Sequence, residues 1–140
     1  MSESIHSKLI KNILILERKF SLFKVIRKII NEAIYHVEIS PSSFKSEENI
    51  KTMRLPHPYN IIIHGNTLIG HNVTIFQNTT VGVIEKGVQP KPPIIKDEVY
   101  IGANALILGN ITLEKGSKIG AGSIILKDVK ENTTVVGLYK

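Results

Sequence analysis

The sequence predicts a mainly β protein, in which short strands wind into a three-sided parallel β-helix that follows a pair of amphipathic helices. Ile is the commonest residue, with 24 of 140 positions, and β-branched residues favour strands. Apolar side chains recur at helical spacing over the first 36 residues and every six residues in most of the remainder. We therefore expect a helical segment over residues 1–36 and a β-helix domain over residues 37–140.

The N-terminal segment is predicted to form two helices, because its apolar residues recur every three or four positions on both sides of a break near Ser21. It is also basic, since seven Lys or Arg against three Glu (7 − 3 = +4) supply most of the formal charge of +6. The plainer interpretation is that the apolar faces pack on the rest of the protein or on a sister subunit. The alternative is peripheral contact with an anionic membrane surface through residues 4–36.

The longest apolar run in this segment covers residues 13–16 and ends at Glu17. It is too short for a signal peptide or a membrane span. We therefore expect a cytoplasmic protein, with the inner face of the membrane as the alternative location. The segment lacks an aromatic stacking platform, so no nucleic-acid partner is expected.

From about residue 57 onward, one aliphatic residue occupies every sixth position in two unbroken registers. These residues are Ile63, Ile69, Ile75 and Val81, and then Ile95, Ile101, Ile107, Leu113, Ile119 and Ile125. Gly and Asn are frequent at the intervening corners, where they tolerate positive φ. Three sides of six residues give a turn of about eighteen residues. The two registers are separated by fourteen residues rather than twelve, so a Pro-rich loop over residues 83–93 is expected to leave the coil.

The composition excludes several chemistries. The chain has no Cys, which removes disulfides, thiolate nucleophiles and Cys-ligated metals. His57, His64 and His71 are seven residues apart, so in a six-residue coil each is expected on a different side. The sequence therefore predicts no metal site and argues against a β-helical, metal-dependent hydratase.

The hexads at residues 69–74, 101–106 and 119–124, with the closing segments 126–129 and 134–137, resemble the hexapeptide-repeat acyltransferases of left-handed β-helix fold. Within that group the chain is most similar to serine acetyltransferase-like enzymes, including short members associated with surface-polysaccharide synthesis. The resemblance covers roughly residues 38–137. It implies a left-handed coil, a homotrimer, and acetyl-CoA as a co-substrate bound between neighbouring subunits. Pairing of two trimers is left open.

The resemblance also implies candidate catalytic residues. The Leu-Pro-His sequence at residues 55–57 is similar to the family's Leu-x-His segment, which makes His57 the general base. An imidazole can accept the proton of a hydroxyl that attacks a thioester at neutral pH. Glu38, in the Glu-Ile-Ser-Pro sequence at residues 38–41, resembles the family's acid that orients the base. Its spacing to His57 is about four residues longer than in the family, so Glu47 and Glu48 are alternatives.

The residues expected to contact acetyl-CoA are small or basic. Small residues leave backbone amides free for the pantetheine arm, although the same residues could serve only the corners. The candidates are Gly82, Gly102, Ala103, Gly120 and Ala121. Lys127 is the candidate partner of the CoA phosphates, with Lys115 and Lys118 as alternatives. Within the loop, Lys91 and Pro92 are assigned to substrate contact.

The acceptor is predicted from departures from the family pattern. Serine-specific members resemble one another in having an Asp before the catalytic His and an Arg-His-Pro triplet after the loop. Here Pro56 and the Lys-Pro-Pro triplet at residues 91–93 take these places, and Pro56 cannot bind an α-amino group. The sequence therefore predicts acetyl-CoA-dependent O-acetylation of a sugar or surface-polysaccharide precursor. The alternatives are a serine O-acetyltransferase and a non-catalytic β-helix scaffold.

Overall fold

The computed structural model describes residues 4–85 and 90–140, and it begins with two helices. Helix α1 (Ile5–Lys19) is capped by Ser4, whose hydroxyl accepts a hydrogen bond from the Ser7 amide at 3.1 Å. Helix α2 (Phe23–Arg27) continues into a π-helix (Lys28–Ile34). The predicted break near Ser21 is therefore confirmed. In the described residues, no helix is long and apolar enough to cross a bilayer.

The remainder of the chain winds into a coil with three faces of parallel strands. In chain order the strands of the described residues are β1 (Val37–Glu38), β2 (Ile61–Ile63), β3 (Leu68–Ile69), β4 (Thr74–Ile75), β5 (Thr80–Gly82), β6 (Ile94–Ile95), β7 (Tyr100–Ile101), β8 (Leu106–Leu108), β9 (Thr112–Leu113), β10 (Lys118–Ile119), β11 (Ile124–Ile125), β12 (Thr134–Val135) and β13 (Leu138–Tyr139). The first face has the order β1-β2-β5-β8-β11-β13, the second β3-β6-β9 and the third β4-β7-β10-β12. The predicted parallel β-helix behind N-terminal helices is therefore confirmed.

Strand pairing gives the length of one turn. Ile63 pairs with Val81 and Ile107 with Ile125, so each of these turns takes the eighteen residues that the sequence predicts. All ten aliphatic residues of the two registers point into the coil, with exposed fractions of at most 4%. Because side chains alternate along a strand, Ile62 lies outward and is 41% exposed. The inward columns form the core, and burial of their side chains is the main favourable contribution to stability.

The turn that carries the Pro-rich loop is longer than the others. Val81 pairs with Ile107, and Ile69 pairs with Ile95, which are both separations of 26 residues (107 − 81 = 26; 95 − 69 = 26). The chain therefore passes from Val81 to Ile95 as a single side with eight extra residues, because 26 − 18 = 8. The interpretation of this interval as two sides with two extra residues was wrong. Residues 86–89 of the predicted loop lie outside the described residues.

The first turn of the coil begins well before the hexads become regular. Strand β1 pairs with β2, and Phe44 forms a bridge with Ile69. A 3-10 helix (Pro41–Ser43) and helix α3 (Glu47–Thr52) are inserted in this turn. The buried residues that continue the inward columns are Ile39, Phe44 and Leu55. Their spacing is five and eleven residues, so this turn cannot be recognised in the sequence from a six-residue period.

Helix α1 covers the open end of this first turn. Its residues Ile10 and Leu14 are buried in the same core as the inward columns. The Lys11 ammonium group is also buried, and it donates hydrogen bonds to the carbonyl oxygens of Lys51 at 2.9 Å and Met53 at 3.1 Å. These bonds fix α1 to the chain that leaves α3. The helix thereby removes apolar side chains and free carbonyls of the coil end from water.

The inward columns predict that two neighbouring residues of one strand contribute very differently to the free energy of unfolding. Ile69 is 2% exposed and Leu68 is 40% exposed. We expect Ile69→Ala to lower the free energy of unfolding by about 2–5 kcal/mol, because it leaves a cavity in the core. Leu68→Ala is the matched control and should cost about 1 kcal/mol or less. Urea unfolding followed by circular dichroism measures both, and equal losses would contradict the assignment of inward and outward faces.

Candidate active site

The corner that carries His57 is longer than the same corner in the turns above it. The inward residues before and after this corner, Leu55 and Ile63, are eight residues apart, whereas Ile75 and Val81 in the next turn are six apart. Two extra residues therefore leave the coil between the third and the first face. His57 lies within this protruding segment.

His57 is exposed on this protrusion. Its carbonyl oxygen accepts a hydrogen bond from the Tyr59 amide at 2.9 Å, which closes a tight turn over Pro58. Its ring lies 6.2 Å from the ring of Phe76, which lies 5.3 Å from the ring of Tyr100. Within the described residues, the imidazole nitrogens make no hydrogen bond. The His57 side chain is therefore open to solvent, its backbone is held by the turn, and one side of its ring lies beside an aromatic residue.

The three candidate orienting acids lie elsewhere. Glu38 belongs to β1 on the first face, where its exposed side chain is aligned with Ile62. Glu47 pairs with Lys19 at 3.5 Å, and Glu48 is exposed on α3. None of these carboxylates is hydrogen-bonded to His57 in the part of the chain that the structure describes.

The candidate cofactor residues divide between two edges of the coil. Gly102, Ala103, Gly120 and Ala121 follow strands of the third face, so they lie along the same edge as His57. Gly82, Lys91, Pro92 and Lys127 lie at the edge between the first and second faces. The Lys127 ammonium group is 4.5 Å from the centre of the Tyr139 ring. A single chain therefore does not bring the predicted cofactor residues together.

Two of the glycines have a structural reason that is independent of any ligand. A Cβ at Gly102 would lie 2.7 Å from the backbone nitrogen of Ala121, and a Cβ at Gly120 would lie 2.7 Å from Cγ1 of Val136. Both contacts belong to the next turn of the coil. At Gly82 the nearest atom would be Cδ2 of Leu108 at 3.4 Å, which is a side chain that can adjust. Of the three candidate glycines, Gly82 therefore has the most room for a ligand or a methyl group.

A cavity of about 440 Å³ lies at the edge between the first and second faces. It is lined by Ile84, Lys91, Leu108, Gly109, Asn110, Ile111 and Leu126. Of these residues the sequence singled out only Lys91. Gly109 has φ of 96° and begins the corner after β8, so a Gly-Asn pair after a strand was the signal that could have found it. The cavity combines apolar walls with one ammonium group, which suits a ligand with an apolar arm and a negative charge.

The three regularly spaced histidines do not converge. His57 follows the third face, His64 follows the first face and His71 follows the second face. They thus occupy three different edges, as the seven-residue spacing predicts. Within residues 4–85 and 90–140 no cluster of three or more His, Asp or Glu could hold a metal ion.

Comparison with known families supports the repeat. The family model described as "Bacterial transferase hexapeptide (six repeats)" matches residues 92–127. These residues therefore form hexapeptide repeats. The match covers the turns above the loop, where the aliphatic residues keep the six-residue register without a break.

The similar proteins are serine acetyltransferases. The enzyme of Bacillus pumilus (strain SAFR-032) is 44% identical over 84 residues, which is 60% of this chain and 39% of that protein. The Neisseria gonorrhoeae enzyme in complex with serine has 31% identity and a TM-score of 0.70, over 94% of this chain and 52% of that one. A serine acetyltransferase in complex with CoA has 28% identity and a TM-score of 0.69, with the same coverage. The chain thus spans about two fifths of the Bacillus relative and about half of these structures.

The similarity includes the helices as well as the coil, because it extends over 94% of the chain. A left-handed β-helix with N-terminal helices is therefore the fold of this hexapeptide-repeat chain, as the resemblance implied. Serine acetyltransferase-like acyltransferases are confirmed as the proteins that it resembles.

The glycine geometry predicts which substitution disturbs folding. Gly102→Ala places a methyl group against the backbone of the next turn, so we expect a loss of about 1–3 kcal/mol in stability. Gly82→Ala meets only a movable Leu108 side chain and should leave the unfolding midpoint nearly unchanged. Thermal unfolding of both variants measures the difference. A stable Gly102→Ala protein would show that this corner has space for a ligand.

Proposed function

We propose that this protein is an acetyl-CoA-dependent O-acetyltransferase with His57 as its general base. The observation that carries the proposal is the exposed His57 on a protruding corner, in a coil similar to serine acetyltransferases. The imidazole takes the proton of an acceptor hydroxyl as its oxygen attacks the thioester carbonyl. The C–S bond then breaks, and the CoA sulfur leaves as a thiolate or takes the proton back from the imidazolium. The products are an acetyl ester and free CoA.

The proposed site lies between subunits of a trimer. Its support is the division of the candidate residues between two edges, since one edge carries His57 and another carries Gly82, Lys127 and the cavity. Outward residues of the first face form a mostly apolar patch that suits a neighbouring subunit. This first-face patch consists of Ile62, Leu106, Ile124 and Leu138, of which three are 39–59% exposed and Leu106 is half-buried, with Thr80 between Ile62 and Leu106. Closing a ring of three coils would bring one edge of each chain against a different edge of the next.

The other assignments of the site follow from this arrangement. Glu38 is proposed as the acid that orients His57, because it lies at the end of the same first-face patch. Lys127 is proposed to hold the CoA phosphates, and Lys91 with Pro92 to contact the acceptor. The segment 1–36, the domain 37–140 and the loop 83–93 are proposed as the functional divisions of the chain.

L-Serine is the first candidate acceptor, because the relatives are serine acetyltransferases and one of them is a complex with serine. The comparisons favour it over the sugar that the sequence predicted. A sugar hydroxyl is the second candidate, and two observations favour it. Pro56 precedes the base and offers no charge to an α-amino group. The flank of His57 is formed by Phe76, which packs in turn against Tyr100, and an aromatic flank suits a partly apolar acceptor.

Thiol release from acetyl-CoA tests the catalytic assignment. We expect His57→Asn to lower the acceptor-dependent rate about a hundredfold to ten-thousandfold, because it removes the general base. His71→Asn is the matched control, since His71 lies at a different edge, and it should keep the wild-type rate. The assay is run with L-serine and with a panel of sugars and nucleotide sugars. The proposal would be contradicted if, for every acceptor, the wild type and His57→Asn released thiol at the same rate.

Mixed trimers test whether the site spans two subunits. Asn110 lines the cavity and is exposed, so Asn110→Trp should block that edge without disturbing the core. We expect His57→Asn and Asn110→Trp each to be inactive alone. Trimers reassembled from both variants should recover part of the activity, because some interfaces then combine two native edges. No recovery in verified mixed trimers would place the whole site within one chain.

A further inference from the structure

One set of apolar side chains around helix α2 is exposed, while Phe23, Ile26 and Ile30 are partly buried. Leu22 is 74% exposed, Val25 57% and Ile29 56%. Helix α2 buries none of its residues, and the residue that the π-helix buries is the polar Asn31. Helix α1, in contrast, buries Ile10 and Leu14 in the core of the coil, although its Ile5 and Leu9 are exposed. Packing on the rest of the chain therefore accounts for one face of α1 and does not account for the exposed residues around α2.

The exposed residues lie side by side. Leu22, Val25 and Ile29 follow one another at steps of three and four, so they share one face of the helix. Phe20, which is 58% exposed, precedes them in the turn between the helices. We refer to these four residues as the apolar row. A contiguous exposed strip of this kind marks a contact with another apolar surface.

Positive charges border the apolar row without compensation. Lys24 and Lys28 are both exposed, and neither forms an ion pair in the described part of the chain. The acidic groups nearby are already engaged. The Arg27 guanidinium binds Glu17, with Nε 2.6 Å from Oε2, and also binds Glu32 through Nη1. The surface around the apolar row is therefore cationic.

We propose that the apolar row rests on an anionic lipid surface, with Lys24 and Lys28 near the headgroups. An anionic membrane matches both the apolar side chains and the positive charge of this face, because the membrane interior accepts apolar side chains and the anionic headgroups attract lysines. A second copy of the chain would pair the apolar rows but would also bring the same lysines toward each other, where like charges repel. The proposal narrows the predicted membrane contact from residues 4–36 to α2, the turn before it and the start of the π-helix. It does not depend on the proposed acetyl transfer.

Vesicle co-sedimentation of the full chain tests the proposal. We expect the protein to sediment with phosphatidylcholine vesicles that contain phosphatidylglycerol, and to remain in solution with phosphatidylcholine alone. The double variant Val25→Ser/Ile29→Ser should lose the binding. Lys24→Gln/Lys28→Gln should lower the partition coefficient about thirtyfold, which corresponds to about 2 kcal/mol for two lysines near an anionic surface. Added salt should weaken binding in the same direction.

Matched variants on the coil exclude a general effect of hydrophobicity or charge. Val136→Ser removes an aliphatic side chain that is 72% exposed, and Lys96→Gln/Lys130→Gln removes two exposed lysines. Both controls should bind like the wild type. Absence of binding, equal binding to neutral vesicles, or equal binding by the Val25→Ser/Ile29→Ser variant would overturn the proposal. A wild type that forms a larger assembly and does not bind vesicles would also overturn the proposal, if the Val25→Ser/Ile29→Ser variant dissociates that assembly. A second copy of the chain would then cover the face.

Discussion

The structure depends on the stacking of inward aliphatic side chains in register from one turn to the next. Parallel pairing fixes which residues lie above one another, as Ile69 and Ile95 do. Only turns that return to the same three faces bury their aliphatic side chains in the columns and are stabilised by that burial. Extra residues must therefore leave the coil at a corner or edge. The chain does so in three places, namely at α3, at the His57 corner and after Gly82. Two of these three departures carry the candidate chemistry, because residues outside the columns are free from the packing constraint.

The part of the fold that the sequence predicts is the part in which packing repeats without interruption. One buried aliphatic residue every six positions is visible from Ile95 to Ile125, since each side has the same length. The first turn is not visible, because Ile39 and Phe44 are five residues apart and α3 follows them. The size of the loop insertion was also misjudged. Counting residues cannot show how many sides an interval contains, whereas strand pairing can.

The residues of the candidate site were predicted mainly through resemblance to a family, whereas the geometry of the site could not be predicted from the sequence. The motif at residues 55–57 identifies His57, but the length of its corner follows only from the pairing of the turns on both sides. The division of Gly82 and Gly102 between two edges follows in the same way. The cavity beside Gly109 was missed because its walls are aliphatic residues next to the core columns, and such residues look like ordinary core in a sequence. The proposed trimer joins the edges that a single chain separates.

The central claim is that acyl transfer takes place at the edge that carries His57, against the cavity-bearing edge of a neighbouring chain. A crystal structure of the oligomer with CoA bound tests this claim most directly. The account predicts that the CoA sulfur lies within reach of the His57 imidazole, with its pantetheine arm between Ala103 and Ala121 of one chain and the Gly82 edge of the next. CoA bound with its sulfur at another edge, remote from every His57, would contradict it.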